Sequence, residues 1–463
     1  MTTTTATNPF LSGNFAPMRS EITESSLKVI GQLPPDLSGW FVRNGPNPQF
    51  PPQGRYHWFD GDGMLHGVQI SDGKAQYRNR YIETRGYKLE REAGEAIWTG
   101  LLEPPKRDNP HGPSKNVANT ALVWHDGRLL ALWEGGAPHE IKLPGLETVG
   151  SYNYNGQLTS AFTAHPKVDA LSGEMMFFGY SFFQSPYLHY SIVSATGELL
   201  RTVPIDLPVG VMMHDFAITE HYTVFMDLPL TFRPERMQRG EPVLQFEASR
   251  PSRFGILPRH GDNSRIRWFE APACYVFHTL NAYEEGEEVV LVACRMNSTT
   301  VLAASEHGEA GGDTPYLHRW RFNLTTGEVK EEALSTMASD FPRINEQYMG
   351  RPTRYGYTSQ MGGKDVPLVE GLIKHDLVNG GAEVHKFGNG RYGGEGVFVP
   401  RSGATEEDDG WLLSFVHDEI EETSELVVVS AKEMSTEPVA RIIMPQRVPY
   451  GFHGAWIDQE MVR

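Results

Sequence analysis

Ala121–Trp133 reads ALVWHDGRLLALW, with Asp126-Gly127 set between two apolar runs, Ala121–Trp124 and Leu129–Trp133. Asp-Gly between apolar runs is the strongest short-range hairpin signal, because both residues tolerate the positive φ that a tight two-residue turn requires. The same pattern recurs in Val193–Leu200 (VSATGELL), Tyr283–Cys294 (YEEGEEVVLVAC), Phe322–Lys330 (FNLTTGEVK) and Glu407–Val416 (EDDGWLLSFV). Helical periodicity is confined to two short candidates, Ser26–Leu33 and Phe232–Arg239. The chain is therefore expected to be all-β. Hairpins at fairly even spacing suit stacked sandwiches or a propeller, whose blades each take about 40–50 residues or more. No WD or kelch signature repeats, so both architectures stay open on this pattern. No linker or shift in composition divides the chain, and residues 1–463 are expected to form one domain. Ser305–Thr314 (SEHGEAGGDT) is the one polar loop that could be flexible.

Composition agrees with a folded, turn-rich chain. Of 463 residues, 47 are Gly and 32 Pro, and 11% aromatic residues supply a heavy core. A formal charge of −17 excludes the basic stripe that nucleic-acid binding uses, and opposes electrostatic docking on anionic lipid. The opening MTTTTATNPFLSGNFAPM has no basic leader and no apolar run of signal-peptide length, and nothing later approaches the roughly 18 apolar residues of a membrane span. A cytoplasmic protein is expected. Cys274 and Cys294 sit inside apolar, strand-like runs without a CxxC spacing and read as buried free thiols.

Four of the seventeen histidines are unusually placed. His165 follows AFTA and precedes a proline, His214 follows GVMM, His278 follows CYVF, and His453 stands between glycines and aromatics in GFHGAW. Each lies at the edge of an apolar stretch, where an uncharged imidazole would point inward. One such residue alone reads as a core histidine with its hydrogen bonds satisfied. Four of them, on a radial fold, could meet on a common axis and hold Zn, Cu, Fe or Ni, among which imidazole chemistry does not choose.

The stretches GWFVRNGPNP (39–48), WFDGDGMLHG (58–67), ALWEGGAPH (131–139), FTAHPKVD (162–169), MMHDFAIT (212–219), VFHTLNAYEE (276–285), DFPRIN (340–345), GGEGVFVPR (393–401) and FHGAW (452–456) resemble, in order, the blocks of the carotenoid cleavage oxygenase family. The resemblance spans nearly the whole chain. It implies a seven-bladed β-propeller, with short helices and loops forming a cap over an axial Fe2+ held by His165, His214, His278 and His453. It implies three carboxylates behind those ligands, Glu134, Asp340 and Glu395, of which Asp340 is one methylene shorter than the family glutamate. A shifted strand or a bridging water would make up that length. Thr120 matches a threonine whose methyl group shields one iron position, leaving a single site for O2 as co-substrate.

The activity implied is oxidative cleavage of a conjugated double bond into two carbonyl products, the alkene supplying the electrons and no side chain acting as acid or base. Trp133, Phe277 and Phe341 are expected to line an apolar tunnel for a polyene. Its mouth is expected to make peripheral membrane contact through Leu228, Leu230 and Phe232, followed by the basic RPERMQR, and less surely through Phe10-Leu11. WFDGDGML reads as a tight turn, since Asp60 and Asp62 lack the further ligands of a calcium loop. The opening NPFLSGNFAP looks like the carotenoid cleavage dioxygenase 1 type, with bacterial and cyanobacterial members in view, which cuts at the 9,10 and 9′,10′ bonds. Alternatives are a retinal-forming apocarotenoid 15,15′-oxygenase and a stilbene-cleaving dioxygenase. The latter uses a lysine where this chain has Trp133. From another class, a non-catalytic ligand-binding propeller or a calcium-dependent lactonase remains.

Overall fold

A computed structural model describes residues 8–299, 314–363, 366–435 and 437–462. The opening hairpin forms as read: Ala121–His125 pairs antiparallel with Arg128–Leu132, and Asp126 and Gly127 take φ of 47° and 71°. His139–Lys142 and Glu147–Ser151 complete a four-stranded sheet, and this unit repeats around an axis as the blade of a propeller. Blade 3 starts at Lys167–Val168, blade 4 at Ala217–Ile218 and blade 5 at Tyr275–Glu285. A seven-stranded sheet is really two blades sharing the fifteen-residue strand Val329–Arg343. Residues to Ala338 pair with Tyr316–Asn323 in blade 5, and from Ser339 onward with Tyr355–Gly362 in blade 6. Blade 7 starts at Val397–Pro400.

Blade 1 is built from both ends of the chain. Gly454–Asp458, the last strand, pairs with Gly39–Pro46 and becomes the blade's innermost strand. Gly39 makes this closure possible, since a Cβ there would stand 2.4 Å from the Ile457 carbonyl oxygen. Facing blades bury Trp40, Trp320 and Trp411 completely, and this burial between sheets is the main source of stability. Cys274 and Cys294 are buried and free, as expected.

The innermost strands all run in one sense, so their starts define one face of the propeller. On that face lie the long connections 47–62, 82–120, 181–187 and 228–251, which make the cap. One of them holds the helix Arg85–Ala93, which sequence periodicity did not reveal. Its buried positions are only Gly86, Tyr87 and Glu90, so no apolar stripe marks it. It is fixed instead by the Thr84 cap on the Tyr87 N–H, by Gly94 in the left-handed region at its end, and by a Lys115–Glu90 ion pair of 2.6 Å.

Several expectations need correction. Ser26–Leu33 is not helical: Val29–Gly31 is an outer strand of blade 7, paired with Ala440–Ile443, and tertiary pairing overrides its weak local preference. In Phe232–Arg239 only Pro234–Arg239 coils, as a 3₁₀ turn, while Phe232 ends the strand Leu230–Phe232. Leu228 and Leu230, expected at an exposed mouth, are 2% and 3% exposed and belong to the core with Phe254 and Tyr275. Phe10 stacks on Trp58 at 5.9 Å between ring centres rather than standing free. Near Phe232 the exposed apolar groups are Phe183 and Met237, with half-buried Phe232 against Phe183 at 5.1 Å, and Leu101 is exposed on the connection 82–120. The Asp60-Asp62 segment is a tight turn as read: a 3₁₀ turn over Trp58–Asp60, capped by His57, leads into Gly63–Ser71, and Asp62 pairs with Lys115. Of Ser305–Thr314, all but Thr314 lies outside the described residues.

At the opposite face, buried Asp169 clasps three blades. It pairs with Arg259 at the end of a blade 4 strand and, at 3.1 Å, with Arg351 of blade 6. Burial opposes charge on Asp169, but Arg259, the Leu171 N–H and Arg351 hold its carboxyl down at about 2. Asp169→Asn leaves Arg259 buried without a counter-charge, and a loss of about 3–5 kcal/mol at neutral pH is expected. The folded-state value lies below the unfolded one, so this contribution is complete above about pH 5 and fades as pH falls toward 2. Chemical denaturation of both proteins at pH 7 and under acid checks this. Equal midpoints at pH 7 would show that the clasp contributes nothing.

Candidate metal centre

The four histidines singled out in the sequence come together on the propeller axis at the cap face. They do so because each innermost strand carries one side chain at or near its start. Thr120 precedes Ala121–His125, His165 precedes Lys167–Val168, His214 precedes Ala217–Ile218, and His453 precedes Gly454–Asp458. His278 lies inside Tyr275–Glu285, Asp340 inside Val329–Arg343, and Glu395 just before Val397–Pro400. Seven blades thus supply seven residues, and Glu134 joins them from the turn after Arg128–Leu132.

The Nε2 atoms of His165 and His214 are 3.0 Å apart. Ligand nitrogens of His165, His278 and His453 all lie within 4.8 Å of one another. The ring centres of His165 stand 4.6, 5.0 and 4.6 Å from those of His214, His278 and His453.

Three of the rings are oriented from behind. Nδ1 of His214 meets Glu134 at 2.6 Å, Nδ1 of His278 meets Asp340 at 2.9 Å, and Nδ1 of His453 meets Glu395 at 3.0 Å. A carboxylate accepts the Nδ1 proton, so each Nε2 is left with its lone pair aimed at the axis. His165 has no carboxylate partner among the described residues and is placed by its backbone N–H, which donates to Thr163 Oγ1 at 3.1 Å.

The shorter Asp340 reaches His278 directly, without a water, because the backbone bends on both sides of the contact. The pairing of Tyr275–Glu285 slips twice around His278, and Phe341 takes φ of 52°, a conformation bulky residues rarely adopt. The Phe341 N–H also donates to Asp340 Oδ1 at 2.8 Å. Buried Cys294 lies beside Asp340; its thiol is pushed well up by burial and by that charge.

Electrostatics agree with a cation-binding role for the cluster. Burial and the neighbouring imidazoles hold His165 well below the ordinary histidine value. Burial lowers His453 as well, against the pull of Glu395, while at His278 burial is opposed by Asp340, Asp215 and Glu395, which together draw it up. Burial opposes charge on Glu395, yet Arg343, His453 and the Gly454 N–H hold its carboxyl at about 2. His278 Nε2 is buried with no hydrogen-bond partner. A buried ring nitrogen without a hydrogen-bond partner, set among those of three other histidines, is a donor set for a borderline transition metal. Calcium does not fit, because the three carboxylates face the Nδ1 side of the rings and no oxygen cage is formed.

The other predicted residues are placed as follows. Thr120 is tied to the cluster, its carbonyl accepting the His453 N–H at 3.2 Å and its hydroxyl donating to Asn119 Oδ1 at 3.1 Å. Phe277 makes an edge contact with His214 at 5.4 Å, and Phe341 stacks on His278 at 5.2 Å. Trp133 makes no ring contact with the four histidines among the described residues; its indole lies over Gly135, where a Cβ would stand 2.4 Å from the ring. Two supporting residues escaped sequence reasoning. The Tyr180 hydroxyl donates to the second Glu134 oxygen at 2.7 Å, and Arg343 bridges Glu395 and the Gly454 carbonyl at 3.3 and 3.1 Å. Arg343 lies in the DFPRIN block, whereas nothing in sequence marks Tyr180.

A family model described as retinal pigment epithelial membrane protein matches residues 15–458. The chain belongs to the carotenoid cleavage oxygenase family. It is 44% identical to the carotenoid 9,10(9′,10′)-cleavage dioxygenase 1 of Arabidopsis thaliana, over 98% of this chain and 90% of that one. Its type therefore has a plant relative at this identity, beyond the bacterial and cyanobacterial members expected from sequence. The fold superimposes on a lignostilbene dioxygenase of Pseudomonas brassicacearum with TM-score 0.89, 31% identity, and coverage of 97% and 98%. It superimposes on the cobalt-substituted apocarotenoid oxygenase of Synechocystis with TM-score 0.85, 28% identity, and coverage of 96% and 97%. The protein is an oxygenase, which sets aside the non-catalytic propeller and the lactonase.

Because Asp340 already touches His278, a longer side chain has no gap to fill. Asp340→Glu and Asp340→Ala are both expected to weaken metal binding by about 10–100-fold, the usual effect of disturbing a partner that orients a ligand. Metal retained on dialysis against graded chelator measures it. Unchanged retention in Asp340→Glu would mean that the bent strand has slack.

Proposed function

We propose that the protein is a non-haem iron(II) dioxygenase that cuts the 9,10 and 9′,10′ double bonds of a carotenoid or apocarotenoid, giving aldehyde and ketone products. The observation that carries this is the convergence of four histidines, three of them fixed by carboxylates at Nδ1, in a chain 44% identical to a plant enzyme named for that cleavage. His165, His214, His278 and His453 would hold the ion, and four neutral ligands leave it its full charge. When bound, ferrous iron would supply the redox chemistry that joins dioxygen to an electron-rich alkene, without an external reductant.

The chain's own residues prepare that position. Glu134, Asp340 and Glu395 keep the ring protons on Nδ1 and none is free to act as acid or base. Tyr180 and Arg343 engage the remaining oxygens of Glu134 and Glu395. The hydroxyl of Thr120 is engaged by Asn119, which leaves its methyl group as the part available to block one side of the ion. Phe277 and Phe341, packed on the ligand rings, offer aromatic faces to a polyene and favour positive charge developing along it. Trp133, away from the rings, would act farther along an apolar channel. Membrane contact, where carotenoids reside, would run through Phe183, Phe232 and Met237 in place of the buried Leu228 and Leu230. Among the described residues no helix is long and apolar enough to cross a membrane.

A stilbene is the second reading, favoured by the similarity to a lignostilbene dioxygenase. Against it, Trp133 offers no charge to a phenolate in the position before Glu134.

Iron-loaded protein incubated under oxygen with a cyclic carotenoid or a long apocarotenal should release a thirteen-carbon ionone-type ketone with the complementary aldehyde. His165→Ala, His214→Ala, His278→Ala and His453→Ala should each abolish it. Retinal as the main product would move the cut to the central bond. Benzaldehydes from a hydroxylated stilbene, with no carotenoid turned over, would overturn the substrate class.

A further inference from the structure

Arg43 lies in Gly39–Pro46, paired on one side with Gly454, next to His453, and on the other with His66. It is 7% exposed, and its Nε is sealed from solvent with no hydrogen-bond partner. Among the described residues its guanidinium meets no carboxylate and no carbonyl. Its one attractive neighbour is the face of Phe415, 5.7 Å away, a partial compensation for a buried cation. Burial draws Arg43 down to about 10, so it keeps its charge at neutral pH.

The surroundings are built to hold this group. A Cβ at Gly451 would stand 1.8 Å from Arg43 Nη1, so any larger residue would displace the guanidinium from this position. This explains the first glycine of GFHGAW: it makes room for Arg43. Arg43 also lines a small cavity between blades 1 and 7, walled by Phe41, Gly394, Phe415 and Gly451. The cavity measures ≈ 20 Å³, enough for about one water-sized body.

Among the described residues no group neutralises Arg43. Glu395 is on the cavity wall, but its oxygens are engaged by His453, the Gly454 N–H and Arg343. Burial raises Tyr77 to a value that keeps it neutral and lowers His66, and burial lowers His417 as well. Arg447, nearby, adds a second positive charge and donates only to Asn14, Ala16 and Met18. A buried charge without a partner is strongly unfavourable, and here two cations lie near a cavity whose one lining acid, Glu395, is already committed elsewhere.

We propose that this cavity is a binding site for a monovalent inorganic anion of halide size, held by the Arg43 guanidinium. The ion completes the junction between the first and last blades, beside the strand that carries His453. Its chemistry is that of a structural counter-ion, distinct from the metal centre and from the substrate.

Crystals soaked in sodium bromide and measured at the bromine edge should show an anomalous peak within hydrogen-bonding reach of Arg43. In parallel, replacing methanesulfonate by chloride at fixed ionic strength should raise the unfolding midpoint in a concentration-dependent way, since an ion bound only by the folded state stabilises it. Arg43→Met should lose both the peak and the chloride response. Should that variant not fold, the wild-type peak and chloride response decide. A water without anomalous signal, Arg43 bonded to Glu395 or to a carbonyl, or a midpoint indifferent to chloride would overturn the proposal.

Discussion

The metal centre depends on one hydrogen-bonding constraint: a neutral imidazole whose Nδ1 proton is held by a carboxylate presents an unprotonated Nε2 on its other side. Three such pairs surround one point, His214 with Glu134, His278 with Asp340 and His453 with Glu395, and His165 joins them without a carboxylate. Lone pairs on ring nitrogens that face one another repel, and a cation held between them relieves that repulsion. Seven blades serve this geometry, since each innermost strand brings one residue to the site. The closing of the chain upon itself follows from the same need: the last strand must return to blade 1 for His453 to complete the set.

Local irregularity is concentrated where the constraint is tightest. His278 and Asp340 lie in strands whose pairing slips, and Phe341 adopts a left-handed backbone. Such strain persists only where the surroundings over-determine it, and here it brings a short carboxylate within reach of its histidine. The glycines around His453 have separate duties. Gly451 admits the guanidinium of Arg43, while at Gly454 a Cβ would stand only 3.1–3.2 Å from the Val397 and Phe41 side chains.

Much of this was legible in the sequence, for physical reasons. Asp126-Gly127 marks a turn because both residues accept positive φ, and the histidines at 165, 214, 278 and 453 stood out because apolar strand ends seldom carry imidazole. Glu134, Asp340 and Glu395 were legible only through resemblance, since a carboxylate beside glycine is an ordinary turn residue by itself. What stayed hidden was decided by tertiary contact. The helix Arg85–Ala93 buries a glutamate and a tyrosine rather than an apolar stripe, and Val29–Gly31 is a strand because blade 7 offers it an edge. Leu228 and Leu230 read as an exposed mouth because an apolar run does not say which face it meets; it meets the core between blades 4 and 5. Tyr180 carries no mark at all until its hydroxyl is seen on Glu134.

The central claim is that all four histidines bind one metal ion through Nε2 while three keep their carboxylate bonds at Nδ1. Diffraction at the iron edge, from crystals of protein purified without added metal or chelator, tests it most directly. One anomalous peak equidistant from Nε2 of His165, His214, His278 and His453 is predicted, with Glu134, Asp340 and Glu395 still behind their rings. Iron bound by the carboxylates, or a peak that leaves any one of the four histidines turned away, would contradict it.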